Sequence, residues 1–245
     1  MARIRLFVED PLAPGAPIAL ADSRAHYLAT VMRARPGDAV LLFNGRDGEW
    51  AATVEAASRK GVALAVGERT RPQPPNPDLW LVVAAVKRDA LDLVARAATE
   101  LGVSEIRPVF TARTNAERVG TARLAAIATE AAEQCGRCEV PGVAEPEPLA
   151  TLLDRWPKSR RLVLADESGT SPPALAALHG LSPPLALLVG PEGGFTGGEL
   201  DGLRVRAFVT AVGLGPRILR TGTAAVAALA LIQAQCGDWQ PAAPP

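Results

Sequence analysis

The chain has almost no histidine, few cysteines and no excess of either charge. Its 245 residues include two His, three Cys, and 26 basic against 26 acidic residues. Cys135 and Cys138 have the spacing of a metal-ligand pair, but a structural zinc site needs four ligands, and the sequence offers no second pair. An odd number of cysteines also argues against a disulfide framework. We expect neither a metal site nor a redox pair.

Long hydrophobic segments are also missing. The longest apolar run, Ala224–Ile232, has about half the length that a membrane span needs. The first ten residues carry charges within four positions of their apolar centre, which is not typical of a signal peptide. The sequence therefore predicts a cytoplasmic protein with no membrane partner.

Lysine is scarce, because Lys60, Lys87 and Lys158 are the only lysines among the 26 basic residues. Arginine suits bidentate contacts with phosphate and stacks on nucleobases, which would fit an RNA-binding protein. Codon bias in a GC-rich genome explains the same excess and agrees with the abundance of Ala, Gly and Pro. Composition favours the second explanation, and the zero net charge provides no global field that would attract nucleic acid.

The hydrophobic pattern changes once along the chain. Residues 1–70 alternate short apolar runs with turns, including the hairpin signal Asn44-Gly45, which predicts a small β-barrel or sandwich with one helix. Residues 71–78 contain four prolines and predict a stiff linker. Residues 79–245 alternate apolar strands with helical segments, which predicts an α/β domain with a mostly parallel sheet. Its last helix, predicted over 223–235, is apolar on all sides, so we expect burial inside the monomer or at a subunit interface.

Two turns rich in glycine and proline follow predicted strands of this second domain, at Gly190–Gly194 and Leu214–Thr221. Ligands of parallel sheets bind beyond the carboxyl ends of the strands. The common nucleotide fingerprints are not met: a dinucleotide motif would need glycine where Ile218 stands, and no Lys-Ser or Lys-Thr pair follows Gly198. The turns offer backbone groups, aliphatic side chains and few charges, which favours an adenine-bearing ligand without a triphosphate.

The two turns also carry a family resemblance. Residues 188–195 read LVGPEGGF and residues 214–221 read LGPRILRT. Together with segments at 31–38, 98–103 and 130–137, they resemble the SPOUT class of methyltransferases, in particular the bacterial 16S ribosomal RNA uracil-N3 methyltransferases. The resemblance spans residues 26–237.

This resemblance implies a PUA-like β-barrel over 1–70 and a SPOUT-type, trefoil-knotted α/β domain over 79–245 that forms a homodimer. It implies S-adenosylmethionine as the cofactor and 16S rRNA as the substrate, assembled in a 30S subunit and methylated at a uracil N3 of the decoding region. The cofactor would be bound by Leu188, Val189, Gly190, Pro191, Gly193, Gly194, Leu214, Gly215, Ile218, Leu219 and Thr221. We expect a catalytic role for Arg217, Arg220 or Glu192, although Glu192 is more readily explained as a residue that holds its turn. The expected RNA contacts are Arg3, Arg5, Arg24, Arg33 and Lys87.

Three positions depart from the family pattern. Gly222 stands where the family has a glutamate, Ala97 replaces a lysine and Thr30 replaces an arginine. Without this carboxylate, the sequence does not identify the general base. Two alternatives therefore remain: a 2′-O-ribose methyltransferase of the same class, and a non-catalytic RNA-binding factor in ribosome assembly.

Overall fold

The computed structural model describes residues 4–239, which divide into two compact units. The first unit combines the chain up to residue 76 with residues 132–140, and the second contains residues 77–131 and 141 onward. A short segment from the middle of the chain thus completes the N-terminal unit. The predicted RNA contact Arg3 lies outside the described residues.

The first unit is built on a five-stranded sheet. Its strands are β1 (Ile4–Phe7), β2 (Pro17–Ala21), β3 (Ala39–Phe43), β4 (Glu49–Ala57) and β5 (Gly61–Arg71), in the spatial order β1-β3-β4-β5-β2. Only the β1–β3 pair is parallel. Helix α1 (Asp22–His26) and a π-helical turn (Tyr27–Val31) follow β2, so the predicted helix forms in two parts.

The hairpin predicted at Asn44-Gly45 is confirmed, with a longer loop than two residues. Strands β3 and β4 pair antiparallel across residues 44–48. Gly45 and Gly48 both adopt positive φ angles, of 78° and 85°. The Asn44 amide donates to Asp47 Oδ2 at 2.6 Å and to the Asp10 carbonyl at 3.0 Å. Side-chain hydrogen bonds of this kind stabilise a turn because they replace backbone bonds that the ladder no longer supplies.

Arg5 holds the inserted segment 132–140 in the first unit. Its guanidinium pairs with Glu49 at 2.7 Å and donates to the carbonyls of Ala132, Glu133 and Arg137 at 2.8–3.0 Å. Burial opposes ionisation of Glu49, but the hydrogen bonds and charges of Arg5 and Arg71 outweigh it, so the pKa of this carboxyl lies below its ordinary value. Arg5 exposes only 11% of its side chain, and these contacts give it a structural role.

The second unit contains a sheet of parallel strands. Its strands are β6 (Leu79–Ala84), β7 (Glu105–Phe110), β8 (Gly142–Val143), β9 (Glu147–Pro148), β10 (Arg161–Ala165), β11 (Leu185–Val189) and β12 (Val209–Val212). The order is β12-β10-β11-β6-β7-β8, with β9 also on β7, and each pair is parallel. All carboxyl ends therefore meet at one edge.

The helices of the second half are α2 (Arg88–Glu100), α3 (Thr121–Cys135), α4 (Leu149–Asp154), α5 (Ala174–Leu178), α6 (Gly197–Arg204) and α7 (Thr221–Cys236). The alternation of apolar strands and helical segments in the sequence does not predict α4, α6 or the short strands β8 and β9. Helix α6 had a recognisable start, since Thr196 and Glu199 form a capping box in which each side chain bonds the other residue's backbone N–H.

Helix α7 packs against α2, α5 and β11. Ala225, Ala228, Leu229 and Ile232 are buried in the core of the second unit, whereas Val226 remains 38% exposed. The described chain thus buries one side of this apolar helix, and a subunit interface on the other side stays a prediction. Within residues 4–239 no helix combines the length and apolarity needed to cross a membrane.

Candidate active site

The first glycine-rich turn leaves the carboxyl end of β11 and is tightly packed. Gly194 adopts φ 67°, and its amide donates to the Pro191 carbonyl at 2.9 Å. A Cβ atom at Gly190 would lie 2.9 Å from the ring of Phe195. Glycine at these two positions therefore allows a turn that any side chain would force apart.

The second turn connects β12 to α7 and meets the first one. Gly215 takes the left-handed conformation with φ 103°. The hydroxyl of Thr221, which is 2% exposed, donates to the Gly190 carbonyl at 2.9 Å. The chain leaves β12, which lies beside β10, and returns across the end of β10 to the end of β11. The structure confirms that the two turns lie together.

Together the turns enclose a cavity at the carboxyl edge of the sheet. Its walls come from the ends of β10 and β11, the second turn and the first helical turns of α7. The lining residues are Ala165, Asp166, Glu167, Gly169, Val189, Gly190, Leu214, Gly215, Pro216, Arg217, Ile218, Leu219 and Ala224. Most of these residues are aliphatic or glycine, and the charged ones are Asp166, Glu167 and Arg217.

Some of the predicted cofactor residues line the cavity, and the others lie in the surrounding structure. Six of the eleven line it, namely Val189, Gly190, Leu214, Gly215, Ile218 and Leu219. Leu188 is buried in β11, and Thr221 joins the two turns. Pro191 and Gly193 instead line a neighbouring cavity on the other side of the first turn, while Gly194 is buried beneath Glu167.

The three predicted catalytic residues are all exposed, at different places. Arg217 lines the cavity between the turns. Arg220 is the N-cap residue of α7, directly before Thr221, with its side chain outside the helix. Glu192 lines the neighbouring cavity together with Pro191 and Gly193.

Asp166 and Glu167, which directly follow β10, line the cavity but are not among the predicted site residues. The Asp166 carboxylate is fully buried, accepts from the Ser171 hydroxyl at 2.6 Å and the Ser168 amide at 2.9 Å, and pairs with Arg204. Burial opposes its ionisation, but these hydrogen bonds lower its pKa to about 2. Glu167 accepts from the Phe195 amide at 3.1 Å, so it links β10 to the first turn at the cavity wall.

The described residues among the predicted RNA contacts belong to both units. Arg24 is exposed and donates weakly to the Phe7 carbonyl at 3.4 Å, and Arg33 is exposed with a positive φ of 54°, which is uncommon outside glycine. Both belong to the first unit, as does the largely buried Arg5. Lys87 is exposed in the second unit and lines the cavity next to Glu192.

Gly222, where the family pattern has an acid, is buried against α2. A Cβ atom at this position would lie 2.9 Å from the Cδ2 atom of Leu93. Ala97 and Thr30, the other two departures, are half-buried. Cys135, Cys138 and Cys236 are free thiols, and residues 4–239 bring together no group of three or more His, Cys, Asp or Glu that could hold a metal.

Family models match both parts of the chain. A model of the RNA methyltransferase domain matches residues 73–233, and one of the RNA methyltransferase PUA domain matches residues 20–66. The ribosomal RNA small subunit methyltransferase E of Rickettsia conorii is 32% identical over 233 residues, which cover 94% of each chain. The chain belongs to this family. The Mycobacterium tuberculosis member is 33% identical, over 97% of this chain and 94% of its own.

Solved structures of similar chains agree with this family. The ribosomal RNA small subunit methyltransferase E of Neisseria gonorrhoeae, bound to S-adenosylmethionine, superposes with a TM-score of 0.87 at 29% identity, covering 97% of this chain and all of the other. A Legionella pneumophila structure with S-adenosylmethionine bound gives 0.85 at 28% identity, covering 96% and 98%. The predicted family is confirmed, and so is the α/β fold class with an N-terminal PUA domain. The trefoil knot and the homodimer stay predictions.

Replacing Thr221 with valine should loosen the junction of the two turns. The change keeps the shape of the side chain but leaves the buried Gly190 carbonyl without its donor, so we expect a loss of about 1–2 kcal/mol in the free energy of unfolding. Urea denaturation measures the loss. Thr221→Ser should retain most of the stability, and Thr223→Val, at an exposed position of the same helix, should change little. Equal midpoints for the two valine variants would contradict this role.

The Asp166 carboxylate should make stability depend on pH. Its pKa of about 2 lies below the value of an unfolded aspartate, so its contribution is present above about pH 4 and is lost as the pH falls towards 2. Asp166→Asn should cost about 2 kcal/mol at pH 7 and less at pH 2. Unfolding free energies at both pH values test this, with Asp201→Asn, at an exposed site on α6, as the control. A loss that is the same at pH 7 and pH 2 would exclude ionisation as its cause.

Proposed function

We propose that this protein transfers a methyl group from S-adenosylmethionine to N3 of a uracil in the decoding region of 16S rRNA. The observation that carries the proposal is the cavity between the two turns, closed by the hydrogen bond from Thr221 to Gly190. Family membership supports RNA methylation as the reaction. We further propose that the protein acts in the cytoplasm as a homodimer and modifies assembled 30S subunits.

The residues present suit an adenosine-type cofactor. Val189, Leu214 and Leu219 provide apolar surface for a purine ring, and the glycine-rich turns provide backbone groups for its edge. The Glu167 carboxylate at the wall suits hydroxyl or ammonium donors. Arg217 is the one cation among the lining residues of this cavity, which suits a ligand without phosphates better than a nucleotide.

In the proposed reaction, the protein's side chains stabilise the uracil anion, whose N3 atom attacks the methyl group. When bound, S-adenosylmethionine supplies a methyl group activated by the sulfonium. Loss of the N3 proton leaves negative charge spread over N3, O2 and O4. A guanidinium near these oxygens stabilises that charge, and Arg217 or Arg220 provides it from the second turn. The N3 lone pair would then form the new bond to the methyl carbon as the carbon–sulfur bond breaks, which leaves S-adenosylhomocysteine.

The N3 proton also needs an acceptor. Glu192 is exposed on the first turn and is the candidate base among the predicted residues. Gly222 offers no carboxylate, and the space that a side chain would need at this position is occupied by Leu93. We propose that the proton leaves to solvent unless Glu192 approaches N3 when RNA is bound. N3 is hidden in a base pair, so the target must be unpaired or extruded.

The experiment that tests the proposal is mass mapping of modified nucleosides. The purified protein, labelled S-adenosylmethionine and small subunits from cells that lack this activity should yield one 3-methyluridine in 16S rRNA. Label on a ribose 2′ oxygen would instead identify a 2′-O-methyltransferase. Retained binding to the subunit without any label or cofactor affinity would identify an assembly factor. Either result would overturn the proposal.

Arg220→Ala should lower turnover far more than cofactor affinity. Its side chain caps no backbone group, so the helix keeps its start, while the charge opposite the developing uracil anion is lost. Removal of one such donor costs about 10²–10³ in turnover. Single-turnover transfer to small subunits measures the rate, and calorimetry measures affinity for S-adenosylmethionine. Arg155→Ala, at an exposed residue before β10, is the control. Lost cofactor binding with normal turnover at saturation would refute the catalytic role.

A further inference from the structure

A second and larger cavity lies on the other side of the first turn. It measures about 540 Å³ and is formed within the second unit by the end of β6, the start of α2, the connection from β7 to α3, and residues 191–193. Val189 and Gly190 line the cavity between the turns, and Pro191, Glu192 and Gly193 line this one. One short turn therefore separates the two spaces.

Positive charge dominates the lining of this second cavity. Five cationic side chains, Lys87, Arg88, Arg113, Arg118 and Arg123, face two carboxylates, Asp92 and Glu192. The zero net charge of the whole chain is thus distributed unevenly, with a local excess of three positive charges at this place. A concave surface of one sign concentrates counter-ions and charged ligands.

Internal pairing uses only part of this charge. Arg123 makes a bidentate pair with Asp92, with Nε 3.0 Å from each carboxylate oxygen, and its proximity holds the pKa of Asp92 below the ordinary value. Arg113 Nη1 donates to the Gly193 carbonyl at 2.8 Å and so supports the first turn. Within residues 4–239, no ion pair engages Lys87, Arg88 or Arg118, and all three are exposed. Three cations are therefore available to a ligand.

Two helices begin at the same cavity. Arg88 opens α2, which has no side-chain cap, and Thr121 opens α3 directly after the lining residue Gly120. Free backbone N–H groups and the helix dipole both favour an anion at such an end. The helix ends and the three unpaired side chains thus point to the same ligand chemistry.

We infer that this cavity binds backbone phosphates of the substrate RNA beside the target nucleotide, through Lys87, Arg88 and Arg118. The inference rests on the proposed function, because it makes RNA the ligand. A strand bound here lies against residues 191–193, which directly follow Gly190, a lining residue of the cavity between the turns, so an adjacent nucleotide can reach the methyl group. Phosphate contacts of this kind fix the register of the RNA, whereas base contacts select its sequence.

The test is the salt dependence of binding to unmodified small subunits. The triple variant Lys87→Gln/Arg88→Gln/Arg118→Gln should bind at least 10-fold more weakly at low salt. Its plot of log affinity against log salt should be shallower by about 2, because about 0.7–0.9 is lost with each phosphate contact. KM for subunits should rise, while affinity for S-adenosylmethionine stays as in the wild type.

The control is the triple variant Arg155→Gln/Lys158→Gln/Arg161→Gln, which removes the same charge at the amino end of β10, on the opposite edge of the sheet. It should keep the wild-type salt slope. Equal slopes for wild type and the cavity variant would overturn the inference, as would a loss of cofactor affinity in that variant, which would assign the cavity to the cofactor. Failure of the proposed function gives a different result, because the wild type would then bind subunits without forming 3-methyluridine. The salt slopes of the wild type and the cavity variant could still be compared in that case.

Discussion

The hydrogen bond between the Thr221 hydroxyl and the Gly190 carbonyl is the contact on which the site depends. It joins the start of α7 to the end of β11, two elements that are 31 residues apart in the chain. Both partners are buried, so neither can exchange the bond for water without moving. The hydrogen bond also fixes the cavity walls, because the second turn is held at one end by β12 and at the other end by Thr221.

The first turn is a shared wall between two spaces of different chemistry. The cavity between the turns presents aliphatic and backbone groups together with Asp166, Glu167 and Arg217, and the second cavity presents unpaired cations. A methyl donor carries adenine and ribose, whereas RNA carries phosphates, so the two surfaces suit the two substrates of one transfer. Arg113 connects them physically, since its guanidinium lies in the cationic cavity and holds the Gly193 carbonyl of the turn.

Much of this arrangement could be predicted from the sequence. Buried parallel strands read as continuous apolar runs, and glycine and proline mark where they end, so β6, β10, β11 and the two turns were found. Side-chain partners distant in sequence leave no such pattern. Arg204 pairs with Asp166 across 38 residues, and Arg5 binds carbonyls more than 125 residues away. The sequence alone does not distinguish an arginine that forms structural contacts from one that faces solvent. For this reason Arg5 was predicted to be an RNA contact.

The position of residues 132–140 has a consequence for how the protein is made. Arg5 is translated early, yet the carbonyls that it binds belong to residues 132, 133 and 137. Until those residues have been synthesised, the Arg5 guanidinium can pair with the Glu49 carboxylate but lacks its three carbonyl partners. The first unit can therefore become complete only after more than half of the chain has been synthesised. A fragment that stops at residue 76 would lack residues 132–140, which belong to this unit.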